Sequence, residues 1–341
     1  MTSEATPHDF RQFGEIRPKK EYRVLQEDDG SFVPDYHITY RLSDKCNMSC
    51  EYCRWYDGDN YDFALETIEK LYEFFKHEKF KSVLFYFHGG EPGIHPHVIP
   101  VLEKLKEQEK TTGIKTVIEF QTNLSYTWRR VEQIIKLVDK FSVSYHFIDL
   151  CKSKDEVLLK NFHTNMANIM EQDYPLERLD VMLENVPEDR LQEFYSNVLG
   201  FLKYDKIKYS EMIHSFCHYE NNPTTKKQHL DFYDKYNKTE QGYMIDGEYY
   251  NTNQLFEKGV DSRGSKCEAG INNIVVNADG NVFHCGVEFT YYRLKTEPVD
   301  PITNVLTDPQ YRQKLSIKRK IGTICKWDYC GGDFYIPREP Q

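Results

Sequence analysis

From His37 onward the chain repeats one pattern about six times: a short apolar or β-branched run followed by a longer stretch of helical period. The runs fall at 37–40, 82–87, 116–121, 141–145, 179–183 and 206–209. Helical period shows between them, as over 64–77, where Ile68, Leu71, Tyr72, Phe74 and Phe75 make one apolar face, and over 131–138. A strand–helix rhythm of this kind requires a parallel sheet with helices packed outside it, as an open doubly wound sheet or as a partial or complete barrel. The residues that follow the strands favour a barrel. His88-Gly89-Gly90-Glu91, Thr122-Asn123, Ser144 to His146 and Glu184-Asn185 are polar or glycine-rich, and in a barrel the carboxyl ends of the strands converge on one mouth, where such clusters share a ligand.

With 341 residues, 39% of them hydrophobic and 14% aromatic, there is material for one large core and a smaller unit. No apolar run approaches the roughly 20 residues of a membrane helix, and residues 1–13 carry no apolar signal stretch, so a cytoplasmic location is expected. A net charge of −10 argues against a nucleic-acid partner held by phosphate neutralisation. Past about residue 215 the rhythm breaks. Ile274 to Val276, an Asn277-Ala278-Asp279-Gly280-Asn281 turn and Val282-Phe283 read as a β-hairpin, followed by a helix over 308–320. The expected organisation is an extension at 1–36, a barrel at 37–215, a connecting segment at 216–262 and a small α+β domain at 263–341.

Nine cysteines, an odd number in a reducing compartment, point to metal or catalytic thiols rather than to a disulfide framework. Cys46, Cys50 and Cys53 form a C-x3-C-x2-C loop directly after the first strand. Three thiolates on one tight loop can hold three corners of an iron–sulfur cube and leave one iron open. A structural zinc site is the competing reading, but zinc knuckles come in pairs that close four positions, and no second pair lies close by.

The C-x3-C-x-aromatic-C loop, with Tyr52 in the aromatic slot, resembles the signature of the radical S-adenosylmethionine (radical SAM) superfamily. Phe87-His88-Gly89-Gly90-Glu91-Pro92 resembles the Gly-Gly-Glu-Pro segment by which that family holds the amino group of SAM, so the resemblance implies SAM contacts at Gly89, Gly90 and Glu91. It implies further a partial (β/α)6 TIM-like barrel over 37–213 and a 4Fe-4S cluster whose open iron is chelated by SAM. The implied chemistry is reductive cleavage of SAM to a 5′-deoxyadenosyl radical, driven by a low-potential donor such as flavodoxin or ferredoxin, and hydrogen abstraction from substrate carbon. Phe120-Gln121-Thr122-Asn123 is similar to the Gln-Thr-Asn-Gly segment of this branch, with Leu124 in place of the glycine, and Ser144 matches a Ser-x-Asp-Gly position in which His146 replaces the aspartate. SAM-contacting roles carry over to Gln121, Asn123 and Ser144. His146 is a candidate substrate contact on position alone.

A second set follows: Cys267 and Cys285 bracket the hairpin, and Cys325 and Cys330 come forty residues later. Four cysteines in a small β unit describe a zinc ribbon as well as an iron–sulfur site. The C-x12-G-x4-C spacing resembles the twitch/SPASM extension of radical SAM enzymes, which implies a second, auxiliary 4Fe-4S cluster on these four residues. Cys217, just past the sixth strand, is a candidate hydrogen donor, with a buried apolar role as the plain alternative for it and for Cys151. The expectation is a redox enzyme acting on a small polar metabolite such as a sugar or cyclitol. The alternatives are maturation of a ribosomally made peptide by cross-linking or epimerisation, or a non-enzymatic zinc or iron–sulfur protein. Lys318-Arg319-Lys320 ends a helix and complements its dipole.

Overall fold

A computed structural model describes residues 34–50, 64–183, 186–210, 269–286, 288–289 and 299–321, with Asp231, Phe232, Lys235 and the backbone of short strands elsewhere. The main sheet has nine strands: β1 (Tyr36–Arg41), β2 (Ser82–Phe87), β3 (Lys115–Thr122), β4 (Lys140–Tyr145), β5 (Leu176–Leu183), β6 (Ile207–His214), β7 (Asn273–Asn277), β8 (Asn281–Phe283) and β9 (Thr303–Asn304). Their spatial order is β9-β8-β7-β1-β2-β3-β4-β5-β6. From β1 to β6 every neighbour pair is parallel and the order follows the chain without reversal. Right-handed crossovers without a reversal put all the helices on one face, so the doubly wound alternative is excluded and the fold is α/β with a mostly parallel sheet.

The helices are α1 (Ala64–Glu78), α2 (Val98–Thr112), α3 (Trp128–Ile135), α4 (Phe147–Cys151), α5 (Val157–Glu171), α6 (Leu191–Phe201) and α7 (Tyr311–Ile321). Alternation along the strands separates two environments. Ile118, Phe120, Val143, Tyr145, Leu179 and Val181 are buried among the hydrophobic core residues. The Tyr145 ring lies 4.8 Å from that of Phe162 on α5 and 5.3 Å from that of Phe201 on α6, while Tyr36 stacks on Phe80 at 4.9 Å beside Phe74 and Phe75 of α1. The residues between these apolar positions, Tyr86, Gln121, Ser142, Ser144, Arg178 and Asp180, face the other side of the sheet. Among the described residues no helix is long and apolar enough to cross a membrane.

The hairpin is continuous with the barrel sheet. β7 runs parallel to β1 with Asn273 opposite His37 and Asn277 opposite Arg41, so it is a seventh parallel strand. All five of its residues are buried, as a strand covered on both faces requires. Ala278 N–H donates to the Arg41 carbonyl at 3.0 Å, and Thr67 Oγ1 of α1 donates to the Ala278 carbonyl at 2.9 Å. Gly280 closes the turn at φ +90°, and a Cβ there would meet Asn304 Oδ1 and Leu306 Cγ at 2.8 Å. α7 binds the same side of the barrel: Arg319 lies 4.2 Å over the Phe80 ring, donates to the Ile271 carbonyl at 3.1 Å and pairs with Glu78. α7 begins at Tyr311 rather than at 308 because Asp308 stands ahead of it as a cap, its Oδ1 accepting from Gln310 N–H at 2.9 Å. α3 lies three residues earlier than its apolar period suggests, since Leu137 N–H turns back to the Ile134 carbonyl at 2.9 Å and ends it.

Because Ile274 is fully buried in the same core as β1 and α1, Ile274→Ala is expected to destabilise the whole barrel by about 2–5 kcal/mol. Urea unfolding followed by far-UV circular dichroism and by tyrosine fluorescence should shift together; a shift confined to one probe would show the hairpin to be an independent unit.

Candidate active site at the carboxyl ends of the strands

The chain leaves β1 through Leu42 into a short strand, Ser43–Lys45, which pairs antiparallel with Asp57–Asn60. These two strands bracket the three-cysteine loop and fix both its ends. Cys46 and Cys50 are described; Tyr52 and Cys53 lie outside the described residues. Cys46 Sγ accepts from Met48 N–H at 3.4 Å and from Asn123 Nδ2 at 3.7 Å. Cys50 Sγ lies 3.8 Å from His146 Nδ1. N–H groups aimed at sulfur favour the thiolate, which is the form that ligates iron, so the two described cysteines fit as ligands of an iron–sulfur cluster.

Gly89 and Gly90 explain themselves sterically. Gly90 N–H donates to the Ser43 carbonyl at 3.0 Å, and Glu91 N–H donates to the Lys45 carbonyl at 2.8 Å. A Cβ on Gly90 would sit 2.2 Å from the Lys45 carbonyl oxygen, and one on Gly89, at φ +134°, would sit 2.9 Å from that of Ser43. Only glycine lets the end of β2 approach the base of the cysteine loop so closely. The buried Arg41–Asp44 ion pair, 3.1 Å long, braces the same corner.

The Glu91 carboxylate faces inward. Its Oε1 accepts from Gly93 N–H at 2.8 Å and Thr122 Oγ1 at 2.9 Å, and its Oε2 accepts from Asn123 N–H at 2.6 Å. It therefore ties the end of β2 to the end of β3. Burial pushes its carboxyl up to about 7 in spite of these donors. Asn123, held in place, donates through Nδ2 to Asn47 Oδ1 at 2.9 Å as well as to Cys46. Leu124, where the related segment has glycine, takes the left-handed conformation at φ +55° with its side chain fully buried.

Below the mouth, Gln121 Nε2 donates to Ser144 Oγ at 2.8 Å and to Asp180 Oδ2 at 2.7 Å. Gln121 Oε1 accepts from the Tyr86 hydroxyl, Arg178 donates to that hydroxyl at 3.2 Å, and Arg178 Nε lies 3.1 Å from Asp180 Oδ1. His88 stacks on Tyr86 at 4.9 Å; burial, then the guanidinium groups of Arg41 and Arg178, hold its imidazole well below the usual range, so it is neutral. Sequence reading placed Gln121 and Ser144 at this site and missed Tyr86, Arg178 and Asp180. The available signal was Arg178-Leu179-Asp180, charged residues alternating with an apolar one inside a strand.

His146 stands immediately before α4, and burial pushes its imidazole down to about 4 although the Asp149 carboxylate acts the other way. Cys285 is half-buried just past β8. Cys267 has a described backbone only, in a two-residue strand opposite Thr323, two positions before Cys325 in sequence. Cys217, Cys325 and Cys330 lie outside the described residues. Burial raises the Cys151 thiol to about 11, as a packed, unreactive cysteine requires.

Two outcomes follow for the ends of β2 and β3. A carboxyl raised from 4.5 to about 7 by folding contributes stability that is complete below pH 4.5 and is lost as pH rises through about 7, a fall of about 3 kcal/mol. Glu91→Gln removes that slope, so the advantage of wild type over the variant in urea should shrink between pH 5 and pH 8; a constant difference would refute the assignment. Leu124→Gly relieves about 1 kcal/mol of backbone strain but forfeits a buried leucine, for a net loss of about 2 kcal/mol. Unchanged or raised stability would mean that the strain dominates.

Known proteins resemble this chain in part of its sequence and in its fold. Residues 40–150 match the model of the Radical SAM superfamily. An uncharacterised protein of Methanothermobacter thermautotrophicus is 26% identical over 109 residues, 32% of this chain and 40% of that protein's length. Among solved structures, anSMEcpe with bound AdoMet and Cp18Cys peptide aligns with 82% of this chain and 80% of its own at a TM-score of 0.51 and 16% identity. Streptococcus suis SuiB bound to S-adenosylmethionine aligns with 83% of this chain and 65% of its own at a TM-score of 0.51 and 12% identity. At these identities the likeness is one of fold. The matched segment, residues 40–150, runs from the end of β1 through the cysteine loop to α4, and it is similar to a superfamily whose members are enzymes that use a 4Fe-4S cluster and SAM.

Proposed function

We propose that this chain is a radical SAM enzyme that modifies a carbon–hydrogen bond of a small polar metabolite such as a sugar or cyclitol, with Cys46, Cys50 and Cys53 as cluster ligands. The observation that carries the proposal is the convergence of three strand ends on the cysteine loop: β2 through Gly90 and Glu91, β3 through Asn123 on Cys46, and β4 through His146 on Cys50. When bound, the cluster and SAM supply a 5′-deoxyadenosyl radical that takes hydrogen from substrate carbon. The chain's own residues bind and orient. Gly89 and Gly90 hold the loop, Gln121, Asn123 and Ser144 present amide and hydroxyl groups to SAM, and the sheet floor shields the reacting groups from water. The linked Tyr86, Gln121, Ser144, Arg178 and Asp180 offer donors and acceptors in alternation, which supports a hydroxyl-bearing substrate.

Cys267, Cys285, Cys325 and Cys330 are proposed to hold an auxiliary 4Fe-4S cluster in a twitch-like unit, accepting an electron from the substrate, and a flavodoxin- or ferredoxin-type protein is the proposed donor to the first cluster. A second reading, peptide maturation, is favoured by the peptides in two of the neighbours, SuiB with precursor peptide SuiA at a TM-score of 0.50 and anSMEcpe with Cp18Cys peptide. Epimerisation requires a hydrogen donor, for which Cys217 is the candidate. In that case Cys217→Ala keeps deoxyadenosine formation and loses product, whereas dehydrogenation leaves both nearly unchanged.

Anaerobic reconstitution with iron and sulfide is the decisive experiment. Wild type should hold about eight irons and the Cys46/Cys50/Cys53→Ala triple variant about four, with dithionite-driven formation of deoxyadenosine from SAM by wild type alone. Zinc in place of iron, or fully loaded protein that leaves SAM intact, would leave a metal-stapled, non-enzymatic protein.

A further inference from the structure

The two described cysteines of the loop each have a side-chain nitrogen beside their sulfur, and the two nitrogens come from different strands. Asn123 Nδ2, past the end of β3, lies 3.7 Å from Cys46 Sγ; His146 Nδ1, past the end of β4, lies 3.8 Å from Cys50 Sγ. Asn123 is pinned by the Glu91 carboxylate on its backbone N–H and by Ser125 on its Oδ1. His146 is pinned by its backbone, whose carbonyl accepts from Leu150 N–H at 3.0 Å to open α4, while its side chain makes no capping bond to that helix. The ring is therefore placed by the strand end and directed to the sulfur rather than used to start the helix.

We infer that His146 is a positioning residue for the cluster, donating Nδ1–H to the Cys50 sulfur and so raising the reduction potential of the cluster held by Cys46, Cys50 and Cys53. The inference rests on the radical SAM reading of that loop. A thiolate bound to iron has lone pairs and no proton, so in the Nδ1–Sγ contact only the imidazole can donate. A hydrogen bond to a ligating sulfur draws electron density from the iron–sulfur unit and stabilises the reduced, more negative state. An ionised aspartate at position 146 could not do this, because a carboxylate is an acceptor only and would set a negative charge against the thiolate.

The test is a redox titration of anaerobically reconstituted full-length protein, read by electron paramagnetic resonance on the signal that changes when SAM is added. Iron and sulfide are measured on every sample. At a fixed poise, His146→Phe should lower the ratio of reduced to oxidised cluster about fivefold, the effect of losing one hydrogen bond of about 1 kcal/mol. His146→Asn, whose Nδ2 can take the place of Nδ1, should stay near wild type, and His146→Asp should fall at least as far as His146→Phe. Should His146→Phe fail to load iron, the near-isosteric pair His146→Asn and His146→Asp carries the same comparison. Loaded variants that titrate with wild type overturn the inference and leave the cluster reading intact; a wild type that takes up no iron overturns the cluster reading, and the inference with it.

Discussion

Two backbone hydrogen bonds, from Gly90 to Ser43 and from Glu91 to Lys45, hold the cysteine loop against the end of β2. Both depend on an approach that leaves no room for a Cβ on Gly90. Everything else at the mouth is referred to this contact. With the loop fixed there, Asn123 and His146 reach its sulfurs from the next two strands, and the buried Arg41–Asp44 pair sits where a shift of either strand would break it. Glu91 makes the arrangement cooperative: one carboxylate accepts from two backbone amides and a hydroxyl across two strand ends, so neither end can move without stranding buried donors.

The sheet divides its two faces by chemistry. On the helix side, aromatic rings stack across strands and helices, from Tyr36 and Phe80 to Tyr145 and Phe194. On the other side the same strands carry Tyr86, Gln121, Ser144, Arg178 and Asp180, linked into one network. Polar groups away from bulk water stay in place only when paired. The pairing of Gln121 with both Ser144 and Asp180 makes β3, β4 and β5 a rigid floor, a preorganised surface of the kind that positions a reactant.

Much of this was legible in the amino-acid order because it is local. Each of the six barrel strands contains a short apolar or β-branched stretch, and the segments over Cys46–Cys53 and Gly89–Glu91 announce their chemistry by spacing. What escaped reading depends on register between distant segments. Nothing in Arg178-Leu179-Asp180 says that Asp180 lies beside Ser144, since that follows from the pairing of β4 with β5. Nor does the Asn273–Asn277 run say that it lies beside β1; it reads equally well as the opening of a separate hairpin domain. Leu124 illustrates a third limit: its departure from glycine is visible in sequence, but its left-handed backbone, tolerated through complete burial of the side chain, is visible only in the fold.

The pairing of Asn273 with His37 also orders events in time. During synthesis β1 emerges first among the barrel strands, and its outer edge has no strand beside it until β7 has been made, long after β2 to β6 have left the ribosome. An exposed edge of a strand such as β1, with Tyr36, Ile38, Thr39 and Tyr40, is a template for any passing strand. The last-made part of the sheet thus protects the first-made part, and a ribosome that stalls in the stretch between β6 and β7 would release a barrel with its most reactive edge uncovered.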